Sequence, residues 1–328
     1  MIIVRFTSGL GNQMFQYNFY RFLKEKYPQA QVRADLTWFY ANNDHHGYEL
    51  DRVFGLGKIS RYCIEEAKKS DIYRATGQIP PIIKGKLAKK AVYLMGPVNR
   101  ILREHSKTYA RVNRIDQLDG DIDNHLVMDD DGKLYRPVYE AVSNLDLSKD
   151  WYITGFWIEE CFYHDRVDKL KRELIFPKIT DEANTAMAGD IQSCNSVSIH
   201  VRRGDYLSST YSSMFKSLGR EYYEAAVNII KERVDNPHFY IFSDDPEYID
   251  SAFEWLDERT IVNLNSGDDS YRDMQLMSMC KHNIVANSTF SQWGAILNKN
   301  EGHMCIYPSA YLADEDTEIK TLPGWIRV

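Results

Sequence analysis

Long hydrophobic runs are missing from this chain of 328 residues. The opening stretch Met1-Ile2-Ile3-Val4-Arg5-Phe6 is too short for a signal-peptide core or a spanning helix, and no later stretch reaches the length of a spanning helix. Cysteine is scarce. The five residues Cys63, Cys161, Cys194, Cys280 and Cys305 are scattered and never form a C-x-x-C pair. That pattern argues against a zinc site or a disulfide framework and fits a reducing, cytoplasmic setting. Positive charge is outnumbered, with 40 Lys and Arg against 47 Asp and Glu and a net charge of −7. A general nucleic-acid binder carries the opposite balance, so nucleic acid is not expected as a partner. Internal repeats and low-complexity segments are also absent.

Apolar and aromatic residues are plentiful, at 44% and 13%, the latter including 22 Tyr and 6 Trp. A packed core follows from this, and rings of this kind serve both cores and sugar binding. Strand and helix patterns alternate in two segments. In the first, a strand over 2–6 meets the turn Gly9-Leu10-Gly11 and a helix carrying Phe15, Phe19, Phe22 and Leu23 at helical spacing, then a strand over 31–34. In the second, strands are expected at 196–201, 239–242, 261–264, 283–286 and 304–307, with a helix near 221–233. Asp245 followed by Pro246 reads as a helix start, and Ser270 with Asp273 as a capping box. Such alternation implies parallel, doubly wound sheets whose ligands bind at the carboxyl ends of the strands. The expected domains are 1–185 and 186–328.

Between the two alternating segments, residues 84–114 carry Lys84, Lys86, Lys89, Lys90, Arg100, Arg103, Lys107, Arg111 and Arg114 against one acid, Glu104. This reads first as a solvated helical face, with peripheral contact to anionic lipid or a charged acceptor as the functional alternative. The acidic run 121–131 follows. Asp129-Asp130-Asp131-Gly132 reads as a turn, because Leu134 stands where a calcium loop needs glycine.

The strongest chemical signal is His200-Val201-Arg202-Arg203-Gly204-Asp205-Tyr206 at the end of an apolar strand. Adjacent guanidiniums at a sheet edge suit a diphosphate, which they bind in bidentate fashion. Strand alternation puts His200 and Arg202 on one side and Val201 on the other. Asp205 either orients an Arg or faces a hydroxyl. A salt-bridge network between domains is the bland alternative. The second signal is Ala286-Asn287-Ser288-Thr289-Phe290-Ser291-Gln292-Trp293-Gly294, a strand end, a hydroxyl-rich turn and a helix start able to bind phosphate or merely to cap itself. In Ser243-Asp244-Asp245, Asp245 caps and Asp244 is the freer carboxylate, suited to the guanine amino edge. Ser8-Gly9-Leu10-Gly11-Asn12-Gln13-Met14 resembles a dinucleotide fingerprint, but Met14 replaces its third glycine. A turn presenting Asn12 and Gln13 to a polar ligand is the better reading. His45-His46-Gly47-Tyr48-Glu49 offers groups for base chemistry or sugar binding, or simply a capping loop.

Together, G-L-G-N-Q-M-F-Q-Y (9–17), H-G-Y-E-L (46–50), H-V-R-R-G-D-Y (200–206) and N-S-T-F-S-Q-W-G-A (287–295) resemble the α-1,2-fucosyltransferases of glycosyltransferase family 11, in order and over nearly the whole chain. Ser8, where relatives often carry glycine, and Gln292, where tryptophan is expected, depart from the pattern. The resemblance implies a GT-B-like α/β fold of two Rossmann-like doubly wound domains facing a cleft. It implies inverting transfer of L-fucose from the co-substrate GDP-β-L-fucose, with no cofactor or metal. The acceptor would be a terminal β-galactoside in an oligosaccharide or lipid-linked glycan. Arg202, Arg203 and Asp205 would be catalytic. His200, Ser243, Asp244, Asn287, Ser288, Thr289, Phe290, Ser291 and Gln292 would hold the donor, and Asn12, Gln13, His46 and Glu49 the acceptor. The general base stays open among Asp205, Glu49 and His46. An α-1,6-type fucosyltransferase, a non-catalytic sugar-nucleotide or glycan-binding module and, third, a hydride-transfer enzyme are the rival readings.

Overall fold

The computed structural model describes residues 1–42, 46–57, 60–105, 111–116, 135–203, 218–309 and 321–328. Asp205, His45 and the acidic run 121–131 lie outside the described residues. The chain divides into two compact units, Met1–Arg166 and Val167–Val328. The expected boundary at 185 falls inside the helix Glu182–Ser193, which packs on the helix Tyr271–Met279 and so belongs to the second unit.

The first unit holds a four-stranded parallel sheet of β1 (Ile2–Arg5), β2 (Val32–Asp35), β3 (Val112–Asp116) and β4 (Asp150–Thr154) in the order β2-β1-β4-β3. The helix Leu10–Lys26 follows β1 and is buried on nearly every side. Its aromatic residues build the core, with Phe19 stacked on Trp157 at 3.8 Å between centroids and 6° between planes. A helix buried all round must satisfy its polar side chains internally. Gln16 does so by accepting from the Thr7 amide at 2.9 Å and donating to the Gly155 carbonyl at 3.0 Å, joining the loops after β1 and β4.

The second unit carries a six-stranded parallel sheet of β5 (Asn195–Val201), β6 (Pro237–Ser243), β7 (Arg259–Val262), β8 (His282–Ile284), β9 (Cys305–Tyr307) and β10 (Ile326–Arg327). Its order is β10-β9-β8-β5-β6-β7. Counted within the unit this is the 3-2-1-4-5-6 order of nucleotide-binding sheets, and the order reverses between β5 and β8. Alternation along β5 sends Val197, Ile199 and Val201 into a core with Tyr223, Val227 and Ile230 of the helix Arg220–Lys231. The opposite face of β5 carries Ser196, Ser198 and His200, all buried. Two parallel α/β units are the GT-B-like organisation that the resemblance implies, taken unit by unit.

Most expected elements stand within two residues of their predicted bounds. One cap differs. Asp245 does cap the helix Pro246–Ala252, accepting from the Tyr248 amide at 3.3 Å. Ser270, by contrast, has helical backbone angles and makes no side-chain cap bond, and Asp273 accepts instead from Asn265 at 2.7 Å. The capping box fails because a short 3₁₀ turn, Gly267–Asp269, already leads into the helix.

Candidate active site

The register of the β5–β6 ladder creates the principal cluster. His200 lies opposite Phe242 and Val201 opposite Ser243. Continued one step beyond the ladder, the same register sets Arg202 beside Asp244 and Arg203 beside Asp245. Arg202 Nη1 lies 3.0 Å from Asp244 Oδ2, and Arg203 Nε lies 3.2 Å from Asp245 Oδ2. Asp244 Oδ1 also accepts the Arg203 backbone N–H at 2.9 Å. Asp244 is therefore not the freer carboxylate, because both its oxygens are engaged. Ser243 Oγ accepts the Asp245 amide at 3.0 Å and shapes the turn. The Arg203 guanidinium sits 3.6 Å above the ring of Tyr248, a residue the sequence reading passed over. Its signal was its place three residues after the cap Asp245, on the first turn of the helix that faces the strand end.

Among the described residues, the two guanidiniums at this edge are matched by two carboxylates. An arginine fork has five N–H donors, so one carboxylate can orient it while its remaining N–H groups meet an anion. The fixed ion pairs align the guanidiniums without turning them into an uncompensated double cation.

The adjoining strand ends contribute His200 and the turn after β8. His200 is buried, its carbonyl accepts from Tyr223 Oη at 3.3 Å, and its ring lies 5.8 Å from that of Phe290. Burial first, then the Arg202 charge, pushes the imidazole down to about 4, with Asp244 opposing. The ring is thus neutral near pH 7. Ser288 caps the helix Thr289–Ile296 by accepting from the Phe290 amide at 3.3 Å. Ser291 Oγ accepts from the Ala286 amide at 3.2 Å and donates to the Ser288 carbonyl at 3.2 Å. The Ser291 hydroxyl both accepts and donates within the turn, so the direct phosphate contact expected of it gives way to a shaping role, while Ser288 caps as an acceptor. Asn287 is buried, and Thr289 and Phe290 are half-buried. His200 Nδ1 and Gln292 Oε1 are buried without a hydrogen-bond partner. Buried polar atoms are rarely left unpaired in native proteins; His200 stands near the end of β5 and Gln292 in the first turn of the helix that follows β8, the two strands between which the sheet order reverses.

A depressed imidazole makes stability depend on acidity. Between pH 6.5 and 4 the unfolded chain binds the proton that folded His200 refuses, so this contribution is full above 6.5 and is lost as pH falls. Asp273, whose buried carboxyl is pushed up to about 7, acts in the opposite sense, so the parent must be compared with a variant. Taking the protein from neutral pH to pH 5 should cost the parent about 2 kcal/mol more than it costs His200→Gln. Urea unfolding of both proteins at the two pH values checks this, and equal losses would refute it.

In the first unit the turn after β1 is built around Ser8, whose φ of 68° lies in the left-handed region. Glycine adopts that conformation without strain, so glycine would suit this position and Ser8 holds it at some cost. Asn12 Nδ2 holds Ser8 Oγ at 2.9 Å. Gln13 does not present itself to a ligand. It is fully buried, donates to the Ser8 and Gly47 carbonyls at 2.8 Å each, and accepts the Glu49 amide at 2.9 Å. It fixes the loop bearing His46, which is exposed and also has a left-handed φ, 69°. Glu49 is buried and paired with Arg52 at 2.5 Å. Asn12, Gln13, His46 and Glu49 are thus brought together, with Gln13 as their support.

Among the described residues no three His, Cys, Asp or Glu side chains are grouped as a metal site. A cavity of about 390 Å³, lined by Phe176, Gln275, Lys281 and Lys299 among others, lies in the second unit toward the amino ends of β5 and β8, away from the arginine cluster.

Known proteins agree with this picture. Residues 100–328 match the model of glycosyl transferase family 11, and the chain belongs to that family. It is 28% identical over 332 residues to the O-antigen biosynthesis glycosyltransferase WbnK of Escherichia coli, covering 98% of each chain. It is 27% identical over 341 residues to an alpha-1,2-colitosyltransferase of Escherichia coli, covering 100% of this chain and 99% of the other. It is 26% identical over 199 residues to the rat (Rattus norvegicus) galactoside alpha-(1,2)-fucosyltransferase 2, covering 53% of this chain and 52% of the other. The chain is a glycosyltransferase.

Proposed function

We propose that the reaction is inverting transfer of L-fucose from GDP-β-L-fucose to the 2-hydroxyl of a terminal β-galactoside, giving an α-1,2 linkage. The observation that carries this reading is the pair of oriented guanidiniums, Arg202 and Arg203, beside the point where a 3-2-1-4-5-6 sheet reverses its order. A sugar–diphosphate bond breaks through an oxocarbenium-like state in which the departing diphosphate gains charge. Preorganised donors stabilise that gain more than they stabilise the ground state. Arg202 and Arg203 fill this role, with the start of the helix Thr289–Ile296 as the second donor group. His200, neutral and buried, offers Nδ1 to the nucleoside, and Gln292 offers Oε1 as an acceptor. Asp244 orients Arg202 and presents its carboxylate edge toward guanine. Asn12, His46 and Glu49 form the acceptor side, with Glu49, His46 or Asp205 taking the proton of the attacking hydroxyl.

A second donor is favoured by one finding. A relative matching the whole chain is named for α-1,2 transfer of colitose, which is L-fucose without its 3-hydroxyl. The two readings share a linkage and differ in one donor hydroxyl. The test is a screen of GDP-fucose, GDP-colitose and UDP-galactose against β-galactosides, with linkage analysis of each product and one arm run after exhaustive chelation. Expected is an α-1,2-linked product from a GDP-6-deoxy sugar, with turnover retained in EDTA. An α-1,6 linkage, or GDP binding without any turnover, would replace this reading with one of its rivals. Turnover lost on chelation and restored by Mn²⁺ would withdraw the leaving-group role from the arginine pair.

A further inference from the structure

The helix Lys86–His105 has a face that no described residue of its own unit covers. Its inner side is held by Ala88 and Asn99, the two buried residues of its 20. Asn99 Oδ1 accepts the Ile79 amide at 3.0 Å, and the Gly85 amide just ahead of the helix donates to the Tyr40 carbonyl at 2.8 Å. Gly77, with φ of 63°, lets the Arg103 backbone approach so closely that a Cβ at Gly77 would stand 2.9 Å from the Arg103 Cα. The helix is therefore docked along one side by backbone and small-residue contacts.

The outer side carries two stripes. Leu87, Leu94, Val98 and Ile101 recur at spacings of seven, four and three residues and are exposed, Leu87 by 70%. Lys86, Lys89, Tyr93 and Arg100 recur at three, four and seven alongside them, with Tyr93 83% exposed and Lys90 between the stripes. The approach to the helix adds Ile82 and Ile83, also exposed. From Lys84 to His105 one acid, Glu104, stands against six Lys and Arg, in a chain whose net charge is −7. An amphipathic helix with an apolar stripe, an adjoining basic stripe and an interfacial tyrosine has the composition of one lying in the plane of a bilayer surface. No described helix is long and apolar enough to cross a membrane, so the contact would be peripheral.

We propose that this face docks on an anionic lipid surface. Charge complementarity selects that occupant over a second copy of the chain. A twofold dimer through this face would set the basic stripe against its own copy, with Glu104 as the one opposing carboxylate in each helix. Anionic headgroups meet the lysines directly and leave the leucines to enter the acyl boundary. The inference rests on this helix alone and is independent of the transfer reaction proposed above.

Co-sedimentation of the full chain with vesicles tests it. One set is phosphatidylcholine alone and the other an equal mixture of phosphatidylcholine and phosphatidylglycerol. Binding is expected to the mixed vesicles, weakening with added salt, and little to the neutral ones. Leu94→Glu should abolish it. Replacing Lys86, Lys89 and Lys90 together by Gln should weaken it on the order of a hundredfold, at about fivefold per charge. These side chains are exposed, so unchanged thermal melting by circular dichroism confirms that each variant folds. No binding to the mixed vesicles, or equal binding by Leu94→Glu, overturns the proposal. So does a dimer in light scattering that Leu94→Glu disperses, which would assign the face to a second copy.

Discussion

Replacing Arg202 by Ala should cut kcat/KM for sugar transfer by about 10²–10³-fold while leaving the protein folded, the loss of one charge-assisted donor aimed at developing negative charge. Arg202 lies at the carboxyl end of β5, oriented by Asp244 at 3.0 Å, and both side chains are 24% exposed. A partly exposed pair of this kind contributes about 1 kcal/mol or less to stability, so unfolding should shift little. The Asp244 carboxylate left behind keeps the Arg203 amide as a partner. The informative contrast is with Asp244→Asn. That variant retains a polar neighbour for Arg202 but removes the orienting charge, and its loss should be smaller than that of Arg202→Ala. Steady-state kinetics of both variants, alongside urea unfolding, make the comparison. Activity of Arg202→Ala within a few-fold of the parent would mean that the leaving diphosphate is stabilised elsewhere.

The second large effect is structural. Gln13→Ala should lower stability by on the order of 4 kcal/mol, because the Ser8 and Gly47 carbonyls and the Glu49 amide lose a partner together and a cavity opens where a fully buried side chain stood. Gln13→Leu keeps most of the volume but none of the hydrogen bonds. If the backbone bonds dominate, it should be nearly as damaging. Urea denaturation of the three proteins decides. A loss below about 1 kcal/mol for Gln13→Ala would show that the loop carrying His46 and Glu49 holds its shape without this side chain.

Much of the second unit was legible in order. Apolar runs bounded by polar residues marked β5, β6 and β9, and Asp245-Pro246 marked a helix start, because burial of a central strand and the missing N–H of proline leave local signatures. The helix under the basic segment was readable too, and so was its solvated face. Less legible was what each polar side chain does. A buried amide and a ligand-facing amide use the same chemistry, so Asn12 and Gln13 read as a binding turn. The structure turns Gln13 and Gln16 inward to bind the loop before Glu49 and the loops after β1 and β4. Ser288 and Ser291 were ambiguous in the same way, and the structure uses one as a helix cap and the other to tie the turn together.

The sequence by itself determined the alternation of strands and helices, the placing of an Arg-Arg pair at a buried strand's end and the family resemblance, since each is written in residue type and spacing. Only the tertiary structure decided which carboxylates meet those arginines. Asp244 and Asp245 lie some forty residues away, and nothing local sets their distance. The pairing of His200 with Phe242 sets it, because a parallel ladder that fixes one pair fixes the next pair beyond its end. The depressed imidazole of His200 has the same origin. Its first cause is burial, which exists only once β5 and the turn after β8 stand side by side and bring Phe290 to the ring, while the Arg202 charge is supplied by the same strand two residues on.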